Sequence, residues 1–241
     1  MGARLRALLK PEEERTLYEL RTATTVPQRV KDRAQVLRLS SHGWYVEAEL
    51  EMLQWAAATG EIDLLYLDES GFSQWSQVSY SYYFQGEQKR LEQTRRRGRR
   101  VSILGIWQPG VRFDYGLAIG GISAHSYIRM MDAQAALAAS EFEREGRIRV
   151  IAVDCGPIHT SNAVKEKMLE WEASGLYIFF FAKYCSEMNP IELEWQHLKE
   201  EEIAGRMFSD ELDLAYAVMD GVDARLHASG CRVERFRFNS G

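Results

Sequence analysis

Residues 148–181 read IRVIAVDCGPIHTSNAVKEKMLEWEASGLYIFFF, and this stretch is the strongest indication of the fold class. The apolar run Ile148–Val153 predicts a strand buried on both faces, and Leu176–Phe181 predicts a second strand. Between them, Ser161–Ala173 has the length and pattern of a helix. A strand, a helix and a strand in succession are typical of an α/β sheet.

The residues on either side extend this sheet. Before it, the sequence predicts strands at Ile62–Leu67, Val78–Phe84, Val101–Trp107 and Phe113–Ile119, the last two joined by a Pro109-Gly110 turn. Helices are predicted at Ser126–Glu143, Pro190–Ala204 and Asp210–Leu226. A meander followed by alternating helices and strands predicts a mixed sheet with helices on both faces, an order that resembles the RNase H-like fold. We expect residues 61–241 to form this domain and residues 1–60 to form a short all-helical segment.

The composition excludes several classes of protein. Of the 241 residues, 46% are hydrophobic and 27% are charged, which is ordinary for a globular protein and argues against disorder or low complexity. The longest apolar candidate, Leu176–Ala182, is too short to span a membrane. Three cysteines without CxxC spacing, Cys155, Cys185 and Cys231, argue against a disulfide framework or a zinc site. We therefore expect a cytoplasmic protein.

The charge is unevenly distributed. A net charge of −5 argues weakly against a nucleic-acid partner. However, residues 89–100 (KRLEQTRRRGRR) hold seven cations and one anion. Such a run is either a solvated loop or a surface that contacts DNA phosphates. We favour phosphate contact and predict that it is made by Lys89, Arg90, Arg95, Arg96, Arg97, Arg99 and Arg100.

Three carboxylates stand where chemistry is expected in an α/β sheet. Asp68 and Asp154 each follow an apolar strand immediately, and Glu192 lies in the first turn of a predicted helix. Each could be only a turn former or a helix cap. Together, carboxylates in one cleft repel one another unless a cation neutralises them, and carboxylate oxygens suit Mg²⁺ or Mn²⁺. Two such ions about 3.5–4 Å apart clamp the oxygens of an in-line phosphoryl displacement.

The residues around the carboxylates carry a family resemblance. The blocks DESGFS, VDCGPIHTS and YCSEMNPIELEWQHLK, which begin at Asp68, Val153 and Tyr184, resemble the DDE transposases of the mariner superfamily, in particular its bacterial insertion-sequence branch. The resemblance covers about residues 64–239. It implies that Asp68 bridges two ions, Asp154 holds one and Glu192 the other.

The resemblance also implies a function. Such an enzyme cleaves the ends of a transposon and joins them to target DNA at a TA dinucleotide, as a homodimer on double-stranded DNA near the bacterial nucleoid. Two positions depart from the family pattern: Cys155 replaces its asparagine, and Ser186-Glu187 replaces its Ser-Pro.

Other polar residues near the three blocks are further candidates for the site. Glu69 and Glu194 are rival carboxylates, but Glu194 lies about 200° around the helix from Glu192, so the two cannot both face the ions. Asp63 lies too far back along its strand to be a ligand. His159 either approaches the scissile phosphate or has a structural role at the next helix, and we include it among the predicted DNA contacts.

The front of the chain leaves two alternatives open. In the resembling family a pair of helix-turn-helix units precedes the catalytic domain, whereas residues 11–46 resemble only their opening. The next stretch, EAELEMLQWAAATG, has no Lys or Arg to read base edges. We expect a shortened DNA-binding region, so a catalytically silent regulator that binds DNA or dimerises stays an alternative, as does an RNase H-like nuclease. Strand-transfer products and metal-dependent nicking separate the three.

Overall fold

The computed structural model describes residues 9–75, except for 24, 28–29, 32–33, 35–36 and 39–44, together with residues 98–181 and 188–238. The chain divides into two compact units, Met1–Leu64 and Leu65–Gly241. Along the described residues, no helix combines the length and the apolar character that crossing a bilayer requires.

The first unit is helical. Helix α1 spans Pro11–Thr22 and helix α2 spans Tyr45–Ala58. Pro11 at the first helical position is pre-organised for a helix, and three glutamates in the first turn complement the helix dipole. An ion pair of 2.6 Å joins Arg38 to Glu14 of α1. The part of the predicted all-helical segment between α1 and α2 lies partly outside the described residues.

The rest of the chain forms a six-stranded mixed sheet in the order β5-β4-β1-β2-β3-β6. Strands β1–β2–β3 are antiparallel, whereas the pairs β4–β5 and β3–β6 are parallel. The strands are β1 Ile62–Phe72, β2 Val101–Gln108, β3 Arg112–Ile119, β4 Ile148–Val153, β5 Leu176–Phe180 and β6 Arg232–Phe236. The helices are α3 Ala124–Glu145, α4 Asn162–Ala173, α5 Ile191–His197, which continues as the π-helical stretch Leu198–Ile203, and α6 Glu211–Ala228.

Helices cover both faces of this sheet, as predicted. On one face, Leu65 and Leu67 of β1 are buried in a cluster with Tyr127 of α3 and Trp171 of α4. The opposite face carries α5, whose Trp195 lies against Gly105 of β2. Because side chains alternate along a strand, Asp68 faces the α5 side.

The α5 side is completed by α6, which packs on the π-helical stretch. A Cβ at Gly221 of α6 would lie 2.7 Å from Cδ1 of Leu198. A larger residue at Gly221 would therefore require the side chains of Leu198 and Glu202 to shift.

The structure corrects three sequence expectations. Strand β1 runs on to Phe72, so Asp68 lies within the strand rather than at its end, because the added residues pair with β2 as far as Val101. The predicted helix Pro190–Ala204 changes to π-helical geometry at Leu198. Strand β6 was not expected, since RVERF has no apolar pattern. The predicted strand Val78–Phe84 lies outside the described residues.

A buried polar chain connects β4, α3 and β3. Arg149 of β4 is 1% exposed, donates to Gln134 Oε1 and forms a 2.5 Å ion pair with Glu141. Gln134 in turn donates to Asp114 Oδ2 at 2.6 Å, and Asp114 pairs with Arg112 at 2.8 Å. Each buried charge in this chain is matched by an opposite charge or a hydrogen bond, as burial of a charge requires.

Candidate active site

Three neighbouring elements position Asp68, Asp154 and Glu192. Asp68 lies in β1 directly across the ladder from Gly105 of β2. Asp154 comes immediately after β4, the strand beside β1, as predicted. Glu192 is the second residue of α5, the helix that covers the Asp68 side of the sheet.

Asp68 lies within electrostatic range of Glu192 and Asp154. Burial raises the pKa of Asp68 from its ordinary value of 3.8 to about 7. The Glu69 backbone N–H opposes this shift, whereas the negative charges of Glu192 and Asp154 increase it further. With a pKa of about 7, Asp68 exchanges its proton around neutral pH, and an approaching positive charge would favour its ionised form.

The carboxylates do not form a closed metal cage. Within the part of the chain that the structure describes, no group of three His, Cys, Asp or Glu side chains is arranged to hold a metal ion. The donor set nevertheless fits Mg²⁺ or Mn²⁺, since it consists of carboxylate oxygens with uncompensated negative charge near Asp68. Mg²⁺ also keeps several of its own waters and takes only one or two carboxylates from many proteins.

A buried amide ties the Glu192 helix to the Asp68 strand. The Nδ2 of Asn189 donates to the backbone oxygen of Leu67 at 2.9 Å, and Asn189 is 2% exposed. The backbone N–H of Glu192 donates to the oxygen of Asn189 at 3.1 Å. This anchoring role was missed in the sequence, where Asn189 counted only as part of a motif.

Asp154 is held by two groups of its own loop. Its Oδ1 accepts from the Gly156 backbone N–H at 3.2 Å and lies 3.2 Å from Nε2 of His159. Burial lowers the pKa of His159, against the pull of the Asp154 charge. A neutral imidazole that faces a carboxylate with Nε2 carries its proton there. The predicted contact between His159 and a DNA phosphate stays a prediction, and this histidine is 5% exposed.

Cys155, where the resembling family has asparagine, makes a hydrogen bond to the backbone. Its Sγ donates to the oxygen of Phe181 at 3.1 Å. The thiol therefore links the loop after β4 to the end of β5.

Both rival carboxylates have cationic partners. Glu69 pairs with Arg100 at 2.6 Å, and Glu194 lies 3.6 Å from Arg225. Arg99 is likewise 3.7 Å from Glu211, so two of the predicted DNA-contacting cations lie beside acidic side chains. The others, Lys89, Arg90, Arg95, Arg96 and Arg97, lie outside the described residues.

The raised pKa of Asp68 predicts a pH-dependent stability. The folded protein holds the Asp68 proton up to about pH 7, whereas the unfolded chain releases it near 3.8. The stability from this proton is therefore complete below about pH 4 and is lost as the pH rises towards 7. Asp68→Asn has no proton to lose, so in EDTA its melting temperature should rise above that of wild type between pH 4 and 7.5.

The control for this experiment lies on the same strand. Glu69→Gln removes a carboxylate that is paired with Arg100, so it relieves no repulsion and should show no such gain. A difference between Asp68→Asn and wild type that stays constant across this pH range would contradict the electrostatic account of Asp68.

Comparisons with known proteins concern the family and the fold of the chain. A family model described as DDE superfamily endonuclease matches residues 63–215. The crystal structure of the Mos1 mariner paired end complex with Mn is similar at 14% identity with a TM-score of 0.53, covering 93% of this chain and 59% of that chain. The corresponding complex with Mg gives 13% identity, a TM-score of 0.52 and the same coverages.

At this level of identity the likeness concerns the fold, which is RNase H-like, as predicted. The chain spans about 59% of the length of these two Mos1 chains. No curated protein sequence matches it.

Proposed function

The chain belongs to the family of DDE superfamily endonucleases, and on that basis we propose that it is a metal-dependent DNA transposase. Asp68, Asp154 and Glu192 are the proposed ligands of two Mg²⁺ or Mn²⁺ ions. The observation that carries the proposal is the position of Asp68, half-buried on the α5 side of the sheet and close to the negative charges of Glu192 and Asp154.

In this mechanism, the chain's own groups would hold the cations and orient the carboxylates. The three acidic residues would bind cations through their carboxylate oxygens, and the resemblance implies no covalent protein–DNA intermediate. Asn189 fixes the Glu192 helix on β1, and the Gly156 N–H with His159 orients Asp154. Bound divalent ions supply stabilisation of the attacking and leaving oxygens of an in-line phosphoryl transfer.

The finer parts of the proposal follow from the resemblance to mariner-type sequences. They are cleavage at the ends of a bacterial insertion sequence, joining to target DNA at TA, and action as a homodimer. Both similar Mos1 mariner structures are described as paired end complexes, one with Mn and one with Mg, which supports a DNA substrate and divalent metal dependence.

Incubation with supercoiled plasmid tests the proposal. With Mg²⁺ or Mn²⁺, the purified chain should convert the plasmid to nicked and linear forms, and EDTA should abolish the conversion. A labelled duplex with a free 3′-hydroxyl should then become joined to the plasmid. Nicking without joining would instead favour a nuclease, and DNA binding without either would favour the silent regulator.

DNA binding should depend on backbone charge and show little sequence preference. If six of the cations in residues 89–100 engage phosphates, log affinity should fall against log salt with a slope of about −5. Replacing Arg95, Arg96 and Arg97 with alanine should flatten the slope by about three and weaken binding to all duplexes alike. Titrations of several duplexes between 50 and about 200 mM salt measure both quantities.

The competing view is that residues 1–60 still read the transposon ends. The acidic stretch of α2 argues against it, because base-edge readers in the major groove rely on Arg, Lys, Asn and Gln. A preference above about a thousandfold for one duplex over a scrambled one at matched salt, typical of a specific binder, would refute the prediction.

A further inference from the structure

We propose that Trp195 is a positioning residue for Asp68. Because Gly105 has no side chain, the indole of Trp195 reaches the surface of the sheet there, and its N–H fixes the orientation in which Asp68 meets a divalent cation. This inference rests on the proposed function, since it concerns the same carboxylate. Trp195 stands three residues after Glu192 on α5, and the sequence indicates only a core residue there.

The geometry begins with the register of the sheet. Gly105 is the direct partner of Asp68 across the β1–β2 ladder, so a side chain at Gly105 would stand beside the Asp68 carboxyl group on the same face. There is no room for one. A Cβ at Gly105 would lie 2.6 Å from Cη2 and 2.7 Å from Cζ2 of Trp195, a distance that real Cβ atoms essentially never show.

The indole thus occupies the place that a side chain across from Asp68 would fill. Its other contact is with Phe113, which meets the ring edge-on at a centroid distance of 5.6 Å. Cζ2 belongs to the same edge of the indole as the ring nitrogen. The ring nitrogen is two bonds from Cζ2, so it lies close to Gly105 on the same face of the sheet as Asp68.

Among the described residues, the indole nitrogen has no other hydrogen-bond partner. Trp195 is 4% exposed, and among the described residues its Nε1 makes no hydrogen bond of full geometry. A buried N–H without a partner costs free energy. A hydrogen bond from Nε1 to a nearby acceptor would therefore be stabilising. Asp68 is the acceptor within its reach, since Trp195 acts on that carboxyl through a side-chain hydrogen-bonding interaction.

The chemical consequence is a directed carboxylate. An ionised carboxylate can accept at both oxygens, and an N–H on one oxygen leaves the other free for a cation. Outer groups of this kind orient metal ligands, and their loss lowers metal affinity by about 10–100-fold. Trp195 needs no direct contact with the ion to act in this way.

The test is Mn²⁺ binding by Trp195→Phe, measured by calorimetry on the full chain. Phenylalanine keeps an aromatic ring against Gly105 and removes the N–H. The expected result is a dissociation constant for Mn²⁺ at least about tenfold weaker than wild type. Nicking should show a similar rise in the half-saturating Mn²⁺ concentration, with a rate near wild type at saturating Mn²⁺.

A matched control lies on the other side of the sheet. Trp171 is also buried, and its Nε1 donates to Asp132 at 2.8 Å. Trp171→Phe therefore removes an indole–carboxylate bond of the same kind away from Asp68 and should leave Mn²⁺ affinity unchanged. If Trp195→Phe does not fold, Gly105→Ala displaces the ring and carries the same expectation.

The outcomes separate this inference from the proposed function. Wild-type Mn²⁺ affinity in Trp195→Phe, or an equal loss in both tryptophan variants, would overturn the role of Trp195 while leaving the carboxylate site intact. If wild type itself neither binds Mn²⁺ nor nicks DNA, the proposed function fails, and the inference fails with it.

Discussion

Alanine at Asp68, Asp154 or Glu192 is expected to slow metal-dependent plasmid nicking by more than about a hundredfold, equivalent to a barrier increase near 2.7 kcal/mol. Each carboxylate comes from a different element, β1, the loop after β4, or α5. None can therefore take the place of another, and losing one changes the charge that holds the cations. The measurement is the initial rate of nicking with saturating Mg²⁺ or Mn²⁺.

The two neighbouring carboxylates provide matched controls. Glu69 follows Asp68 in sequence and Glu194 is two positions from Glu192, but they pair with Arg100 and Arg225. Glu69→Ala and Glu194→Ala should keep rates within about tenfold of wild type, a barrier change below about 1.4 kcal/mol. If Glu194→Ala loses activity while Glu192→Ala keeps it, the assignment on α5 is wrong.

Arg149→Met is expected to destabilise the fold by about 3–5 kcal/mol. Methionine fills much of the space but leaves Gln134 Oε1 and the Glu141 carboxylate without the guanidinium that they share. Glu141 then carries an uncompensated negative charge, and Gln134 loses one of the two bonds that connect α3 to β3 and β4. Urea unfolding followed by circular dichroism measures the loss.

An exposed arginine shows whether the effect comes from burial. Arg144 pairs with Glu145 on the surface of α3, and its side chain is 65% exposed. Arg144→Met makes the same chemical change in solvent, where exposed ion pairs contribute little, so its unfolding curve should overlay that of wild type. Equal curves for Arg149→Met and wild type would mean that the buried chain is dispensable.

The fold was predictable where the pattern of apolar residues was strong. The run IRVIAV predicted β4 with the bounds that the structure has, because five of its six residues are apolar, as is typical of a strand buried on both faces; Arg149 is the exception. The end of β1 was not predictable in this way, since Asp68 to Gly71 are polar or small and their strand geometry comes from pairing with β2. Strand β6 is set by its partner β3 and not by its own sequence.

The candidate site was predictable in its residue types but not in its supports. Carboxylates after apolar strands indicate cation chemistry from sequence alone. The bond from Asn189 to Leu67 joins residues far apart in the chain, and no local pattern reveals it. The same holds for Gly105, whose importance depends on a tryptophan that reaches it only in the folded sheet.

The late position of β6 has a consequence for synthesis on the ribosome. Strand β3 pairs with β2 on one side and with β6 on the other. Arg112 of β3 cannot pair with Arg232 until the ribosome has synthesised the intervening half of the chain. At about 5–20 residues per second, this delay is on the order of ten seconds. During it, the outer edge of β3 presents unpaired backbone groups that can template association with another nascent chain. The carboxylate strands and α5 emerge earlier, so the site can assemble while the outer edge of β3 is still unpaired. We expect nascent chains on crowded polysomes to associate through this edge more readily than the finished protein does.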